Sequence, residues 1–327
     1  DRATKLTVDG ITDTYPIYQV RLDLLYFNDR NDRIATWISQ YMAENGVSSF
    51  DRSDLEKYND IIQDFITQSN PDKIKATQNN IEFIGQQKHG VVLNDGRIID
   101  GNRRFTCLRN LAKKDPRFNY FETVILERDF ENNAKQIKML ELQIQIGEES
   151  RVDYNPIDRL VGIYHDIIEN QLLSVKDYAQ STNQTEAEVE RMKDLAILLV
   201  EFLEAINAPG QYYIARDMDL NGPLVELQGV LKNIKDAERR EEVKYAVFTN
   251  FLMQPSGDMT RFVRELKQVV KEKETKYLDE FVEKEMVITE KVLDQLPAPG
   301  MVTRETINVL RADKRTQEEL RQMMEIT

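Results

Sequence analysis

The stretch GVVLNDGRIIDGNRRFTCLRNL, residues 90–111, constrains the fold more than any other part of the chain. Two short apolar runs flank Asn94-Asp95-Gly96, residues that readily adopt the conformations of a tight turn. This pattern predicts a β-hairpin over VVLNDGRIID. The second run ends in Asp100-Gly101. From there Phe105, Leu108 and Leu111 recur at the spacing of a helix with one buried stripe. Strand, turn, strand, glycine and helix in such short order place this region in a small α/β unit.

The flanking segments extend that unit to about residue 130. PIYQVRLDLLYF (16–27) reads as extended. Ile34, Trp37, Ile38 and Tyr41 mark a helix over 33–45. Residues 48–68 read as a second helix, capped by Asp51 or Ser53, with Leu55, Tyr58, Ile61, Ile62 and Phe65 on one face. Pro71 opens a third that stops near Gly85, and NYFETVILE reads as a strand. From about 131 the chain reads as helix after helix, one of them started by Asn155 as N-cap with Pro156 at the first helical position and Asp158 at the third. The expected class is therefore α+β: an α/β domain over 1–130, a helical domain over 131–208 and an all-α domain over 209–327. Ala208-Pro209-Gly210 marks the second boundary.

Charge and composition narrow the chemistry. The 327 residues carry a net charge of −13, opposite in sign to proteins that coat DNA without sequence preference. A single cysteine, Cys107, excludes an internal disulfide and a Cys-rich zinc site, and two histidines argue against a His-based metal cluster. Any metal would be a hard cation on oxygen ligands. No window approaches eighteen apolar residues, so no transmembrane span is expected. DRATKLTVDG lacks a basic-then-apolar leader, and a cytoplasmic protein is expected.

Against that acidic background, six basic residues lie between 103 and 117, with Asp115 the one acid. Arg103 and Arg104 follow Gly101 where a helix begins. Backbone N–H groups and the macrodipole at a helix N-terminus attract anions, and a guanidinium fork suits phosphate oxygens. The same arginines can instead pair with Asp95 or Asp100. Asp100 is itself a candidate general base beside a bound phosphate, or a carboxylate that orients the arginines.

The order of strand, turn, strand and DGNRRFTCLRNL resembles the N-terminal domain of the ParB partition family, which shares its fold with sulfiredoxin. The family's Gly-Glu-Arg-Arg box falls on Gly101-Asn102-Arg103-Arg104. Its Asn-Pro-Arg segment falls on Asn31-Asp32-Arg33. Downstream, EESRVDYNPIDRL resembles the Glu-Asn-x-x-Arg and Asn-Pro segments, with Arg151 on the arginine. The resemblance spans roughly residues 16–200. It implies a nucleotide site, CTP favoured, with Gly101, Asn102, Arg103 and Arg104 at the phosphates and Arg33 and Arg151 beside them. It also implies Mg²⁺, with oxygens from Glu148, Glu149 or Gln145 and Glu148 the candidate ligand. Asn102 replaces the box glutamate, and Gly147-Glu148 stand where the family has Glu-Asn. The sulfiredoxin cysteine has no counterpart in the box; Cys107, one turn further on, reads as a packing residue.

SVKDYAQST followed by TEAEVERMKDLAILL resembles the helix-turn-helix that follows in those proteins. Its second helix offers Glu186, Glu188, Glu190 and Asp194 against Arg191 and Lys193, a face that DNA repels. Three expectations stand together. The first is a ParB-like, nucleotide-dependent switch whose output is DNA association, a homodimer or a protein partner bound through the C-terminal helices. The second is an enzyme on the same scaffold, an NTPase, small-molecule kinase or nuclease using Asp100 or Glu148. The third is a structural adaptor whose arginines only pair internally.

Overall fold

The computed structural model describes residues 2–148, 154–253, 258–271 and 275–313, without the side chains of residues 147, 148, 271 and 275. The architecture is α+β: a mixed sheet and its helices, then helices alone. The chain divides into two compact units, Asp1–Arg191 and Met192–Thr327.

Unit 1 opens with a hairpin of β1 (Ala3–Val8) and β2 (Ile11–Pro16). Asp9 and Gly10, both at positive φ, make its turn. The main sheet is β3 (Tyr18–Arg21), β4 (Tyr26–Phe27), β5 (Gly90–Leu93), β6 (Arg97–Asp100) and β7 (Tyr120–Leu126), in the order β3-β7-β5-β6-β4. β5 and β6 form the antiparallel hairpin expected of VVLNDGRIID, while β5 runs parallel to β7 and β6 parallel to β4. The extended run expected over 16–27 is broken. A 3-10 turn at Leu22–Leu24 carries the chain from β3 on one edge to β4 on the other, which one straight strand cannot do.

Both faces of the central strands are covered, so they read as continuous apolar runs rather than alternating ones. Val92 and Ile98 face a core built with Ile62 and Phe65 of α2 (Leu55–Ser69), Ile74 and Ile81 of α3 (Pro71–Ile84), and Phe105 and Leu108 of α4 (Asn102–Ala112). Val91, Leu93 and Ile99 face the other way, onto Ile137 and Leu140 of α5 (Phe130–Leu142). The cap of α2 is Asp54, which accepts from Lys57 N at 3.1 Å; of the two expected caps, Asp51 closes a local turn on the backbone N–H of the other, Ser53. α1 (Ala35–Asn45) precedes α2 and ends on Gly46 in the left-handed region.

α5 passes into a π-helical turn, Gln143–Glu148. α6 (Pro156–Ile163), started by Asn155 and Pro156 as expected, passes into another at Tyr164–Glu169. α7 (Val175–Thr182) carries a capping box of Ser174 and Asp177, and Asn183 in the left-handed region ends it. α8 (Glu186–Ala205) follows. Unit 2 is helical: α9 (Tyr212–Asp217), α10 (Asn221–Leu231), α11 (Ala237–Met253), α12 (Met259–Lys271), α13 (Thr275–Asp294) and α14 (Arg304–Ala312). Phe248 and Phe251 pack edge-on to Phe202 in its core, and Tyr212 and Tyr213 are buried rather than offered to a ligand. Arg216 pairs with Asp217 at 2.9 Å, the internal salt link. Among the described residues no helix is long and apolar enough to cross a membrane.

Candidate functional site

A cleft of about 220 Å³ in unit 1 gathers the arginine turn and segments far from it in sequence. One wall is the β6–α4 junction. Gly101 stands at φ +103°, a conformation that side chains resist. A Cβ there would lie 2.6 Å from Cζ of Phe121 and 3.1 Å from Nη2 of Arg104. Glycine is thus required twice, by dihedral and by space. The N-cap of α4 is Gly101, which has no side chain to cap it, and the positive end of the helix dipole lies at this wall.

Arg103 and Arg104 both line the cleft. Arg104 donates from Nη2 to Asp100 Oδ2 at 2.9 Å and to the His89 carbonyl at 3.4 Å. Its buried Nε has no partner. The internal pairing that the sequence allowed is therefore present for this arginine, and Asp100 acts as its anchor. Arg103 is half-buried on the same turn. The other basic residues of the 103–117 cluster do not line this cleft. Arg109 turns to Glu56 at 2.8 Å and Asp60 at 3.0 Å on α2, and Arg117 to Asp115 at 2.7 Å. Asp95 lies on the hairpin turn, where it accepts from Tyr26 Oη and from Arg97 N.

The opposite wall comes from the segment ahead of α1. Asn31 Oδ1 accepts from Arg33 N at 3.1 Å, an Asx turn that sends neighbouring side chains to different places. Arg33 reaches the cleft, where Nη2 donates to the Gln145 carbonyl at 3.0 Å and the guanidinium lies 5.4 Å from the Tyr154 ring. Asp158 of α6 also lines the cleft, but its Oδ1 accepts from Thr36 N at 2.7 Å, across the first turn of α1. Both acids of the cleft thus have fixed internal partners. Two buried carbonyl oxygens do not: Oδ1 of Asn102, in a residue 8% exposed, and Oε1 of Gln145, in one 5% exposed. Trp37, Ile34 and Ile66 give an apolar end.

Of the residues singled out from sequence, Arg33, Asp100, Gly101, Asn102, Arg103 and Arg104 meet in this one cleft. Arg151 lies outside the described residues, as does the side chain of Glu148, whose backbone ends the π-helical turn. Among the described residues no group of three or more His, Cys, Asp or Glu is arranged to hold a metal ion. Sequence reasoning missed Trp37, assigned to a helix stripe, and Asp158, assigned to the start of its own helix. Cys107 is fully buried, with Sγ 3.5 Å from the Ile74 carbonyl, and burial pushes its thiol up to about 12. It packs, as expected, and offers no thiolate.

The helix-turn-helix unit is present as α7, a turn at Asn183 and α8. Its polar turn residues are engaged within the protein. Gln184 accepts from Arg159 and, at 3.0 Å, from Thr182 Oγ1. Thr185 and Glu188 cap α8 reciprocally, at 3.2 and 2.8 Å. The first turn of α8 carries Glu186 and Glu188.

No protein-family model and no curated protein sequence matches the chain. Among solved structures it is similar to a Pnob8-like ParB-N domain, at 12% identity over 82% of this chain and 97% of that one, with a TM-score of 0.43. At that level of likeness no residue role transfers from one chain to the other.

Proposed function

We propose that the cleft binds the phosphates of a nucleotide, with CTP the favoured ligand, and that the chain is a ParB-like, nucleotide-dependent switch. One observation carries this reading. Arg33 shares a cleft with Arg103 and Arg104, around a glycine at a helix N-terminus. Three guanidinium groups line this small cleft beside two carboxylates, Asp100 and Asp158, an excess of positive charge that suits an anion. The apolar end with Trp37 suits a base or ribose, and the unpartnered carbonyls of Asn102 and Gln145 suit N–H or O–H donors on the same ligand.

Binding between the α4 turn and the segment ahead of α1 would tie together two parts of unit 1, which is how ligand charge becomes a conformational signal. The proposed output is association with DNA, a second copy or a protein partner. The acidic first turn of α8 weighs against a DNA contact through that helix. A melting screen with the four ribonucleoside triphosphates and their diphosphates, with and without Mg²⁺, tests the reading. A rise in the melting temperature with at least one nucleotide is expected. No shift with any of them would leave the adaptor reading in its place.

A further inference from the structure

Three segments that line the cleft also hold a buried charge cluster. The Asx turn sends Arg33 to the cleft and Asp32 to the cluster. α5 and its π-helical turn give Gln145 to the cleft and Lys138 and Glu141 to the cluster. α6 gives Asp158 to the cleft and, two turns on, its π-helical continuation gives Asp166 to the cluster. Lys138 Nζ stands 2.7 Å from Asp32 Oδ1, 3.6 Å from Glu141 Oε1 and 3.5 Å from Asp166 Oδ2. It also donates to the Arg30 carbonyl at 3.4 Å, and Asn28 donates to Glu141 Oε2 at 3.0 Å. Gly162, between Asp158 and Asp166 on α6, permits the approach: a Cβ there would lie 2.5 Å from the Asp32 carboxyl carbon.

The cluster is short of positive charge. Three carboxylates share one ammonium away from water, and Glu141 Oε1 and Asp166 Oδ2 are buried without a hydrogen bond. Burial pushes the Glu141 carboxyl up to about 7 and that of Asp166 up to about 8. The groups facing them from the surrounding elements do not make up the deficit. Arg33 favours ionised Glu141 from the cleft side. Tyr154 and Tyr178, the latter beside Arg159, are kept neutral by burial. Burial also pushes the imidazole of His165, which lies 3.5 Å from Glu169, below its ordinary value.

We infer that this cluster links the cleft to pH: an anion bound beside Arg33 draws a proton into the cluster, so ligand affinity rises as the solution becomes more acidic. The inference rests on the cleft being the phosphate site. Its physical basis is that added negative charge next to Arg33 offsets the cation that favours ionised Glu141, and so disfavours ionisation of a cluster in which one ammonium serves three carboxyls and one oxygen each of Glu141 and Asp166 lacks a hydrogen bond. By linkage, proton uptake on binding and tighter binding at lower pH are one effect.

Calorimetric titration of the full chain at pH 8.0, in buffers of different ionisation enthalpy, counts the protons. The ligand is CTP, or whichever ribonucleoside triphosphate the melting screen selects; at pH 8.0 its phosphates are ionised, so the count reports the protein. Uptake of roughly half a proton per ligand is expected, with affinity rising about threefold per unit of pH lowered between 8.5 and 7.5. Asp166→Asn should keep binding and lose most of the uptake, and Glu141→Gln serves if the first variant does not fold. Binding by the wild-type chain without net uptake, or equal uptake in the variants, overturns the inference and leaves the phosphate site standing. No binding of any of the four triphosphates overturns both.

Discussion

Replacing Lys138 with Met is the sharpest test of how unit 1 is held together. The methionine fills much the same space, so packing changes little while the ammonium disappears. Asp32, Glu141 and Asp166 then face one another with Asn28 as the remaining close donor. Removing one partner of a buried ion pair costs about 3–5 kcal/mol, because the other charge is left uncompensated. The loss depends on pH, and its sign follows from the carboxyls. Glu141 and Asp166 have folded values raised above their unfolded ones, to about 7 and about 8. Between roughly pH 4 and pH 8 the folded state therefore binds more protons than the unfolded state, and stability falls as pH rises, by up to about 1.4 kcal/mol per unit for each such carboxyl. Without the ammonium the carboxyls hold protons still more tightly, so the variant is least harmed in acid. Trp37, the sole tryptophan, lies in unit 1 and reports its unfolding. Urea titrations followed by its fluorescence should show the variant losing about 3–5 kcal/mol at pH 8.5 and about half of that at pH 6.0. A loss below about 1 kcal/mol at pH 8.5, or the same loss at both pH values, refutes the reasoning.

The remaining expectations concern the arginine turn and its helix. Gly101→Ala must hold a side chain at φ +103° and displace the Phe121 ring, so unit 1 should lose about 2–4 kcal/mol, read as an earlier urea midpoint of the Trp37 signal. Arg104→Ala leaves Asp100 buried without its guanidinium and should cost about 1–3 kcal/mol, whereas Arg103→Ala should cost less than about 1 kcal/mol by the same assay. Equal losses in the two arginine variants would show that Asp100 does not anchor Arg104. Cys107 should resist a thiol reagent in the native chain and react only on unfolding; reaction at the rate of a free thiol would contradict its burial.

Local chemistry made much of this site legible in the sequence. The hairpin followed from Asn94-Asp95-Gly96, and the α4 start from Gly101 and the Phe105, Leu108, Leu111 stripe. The pairing of distant parts was harder to read. Asp9-Gly10 is a hairpin signal of the same kind, and it marks the β1–β2 turn that went unassigned between short, mostly exposed strands. The run 16–27 has β-forming residues throughout, and only the sheet order explains why it breaks at Leu22. Lys138 and Glu141 sit among apolar residues of α5, the trace a buried charge leaves in sequence. That trace does not name partners a hundred residues upstream and in the next helix. Asp158 looked like an ordinary first-turn acid, and its role toward α1 depends on how α6 packs.

Calorimetric titration of the full chain with the nucleotide selected by the melting screen, beside Arg103→Ala, tests the central claim most directly. Arg103 is a half-buried residue of the cleft, and its removal leaves the Arg104–Asp100 pair in place, so the variant tests binding with that anchor intact. Saturable binding by the wild-type chain is expected, with affinity at least about tenfold weaker in the variant, the loss of one charge-assisted contact. Unchanged affinity in a folded Arg103→Ala chain would contradict the assignment of this cleft to a phosphate-bearing ligand.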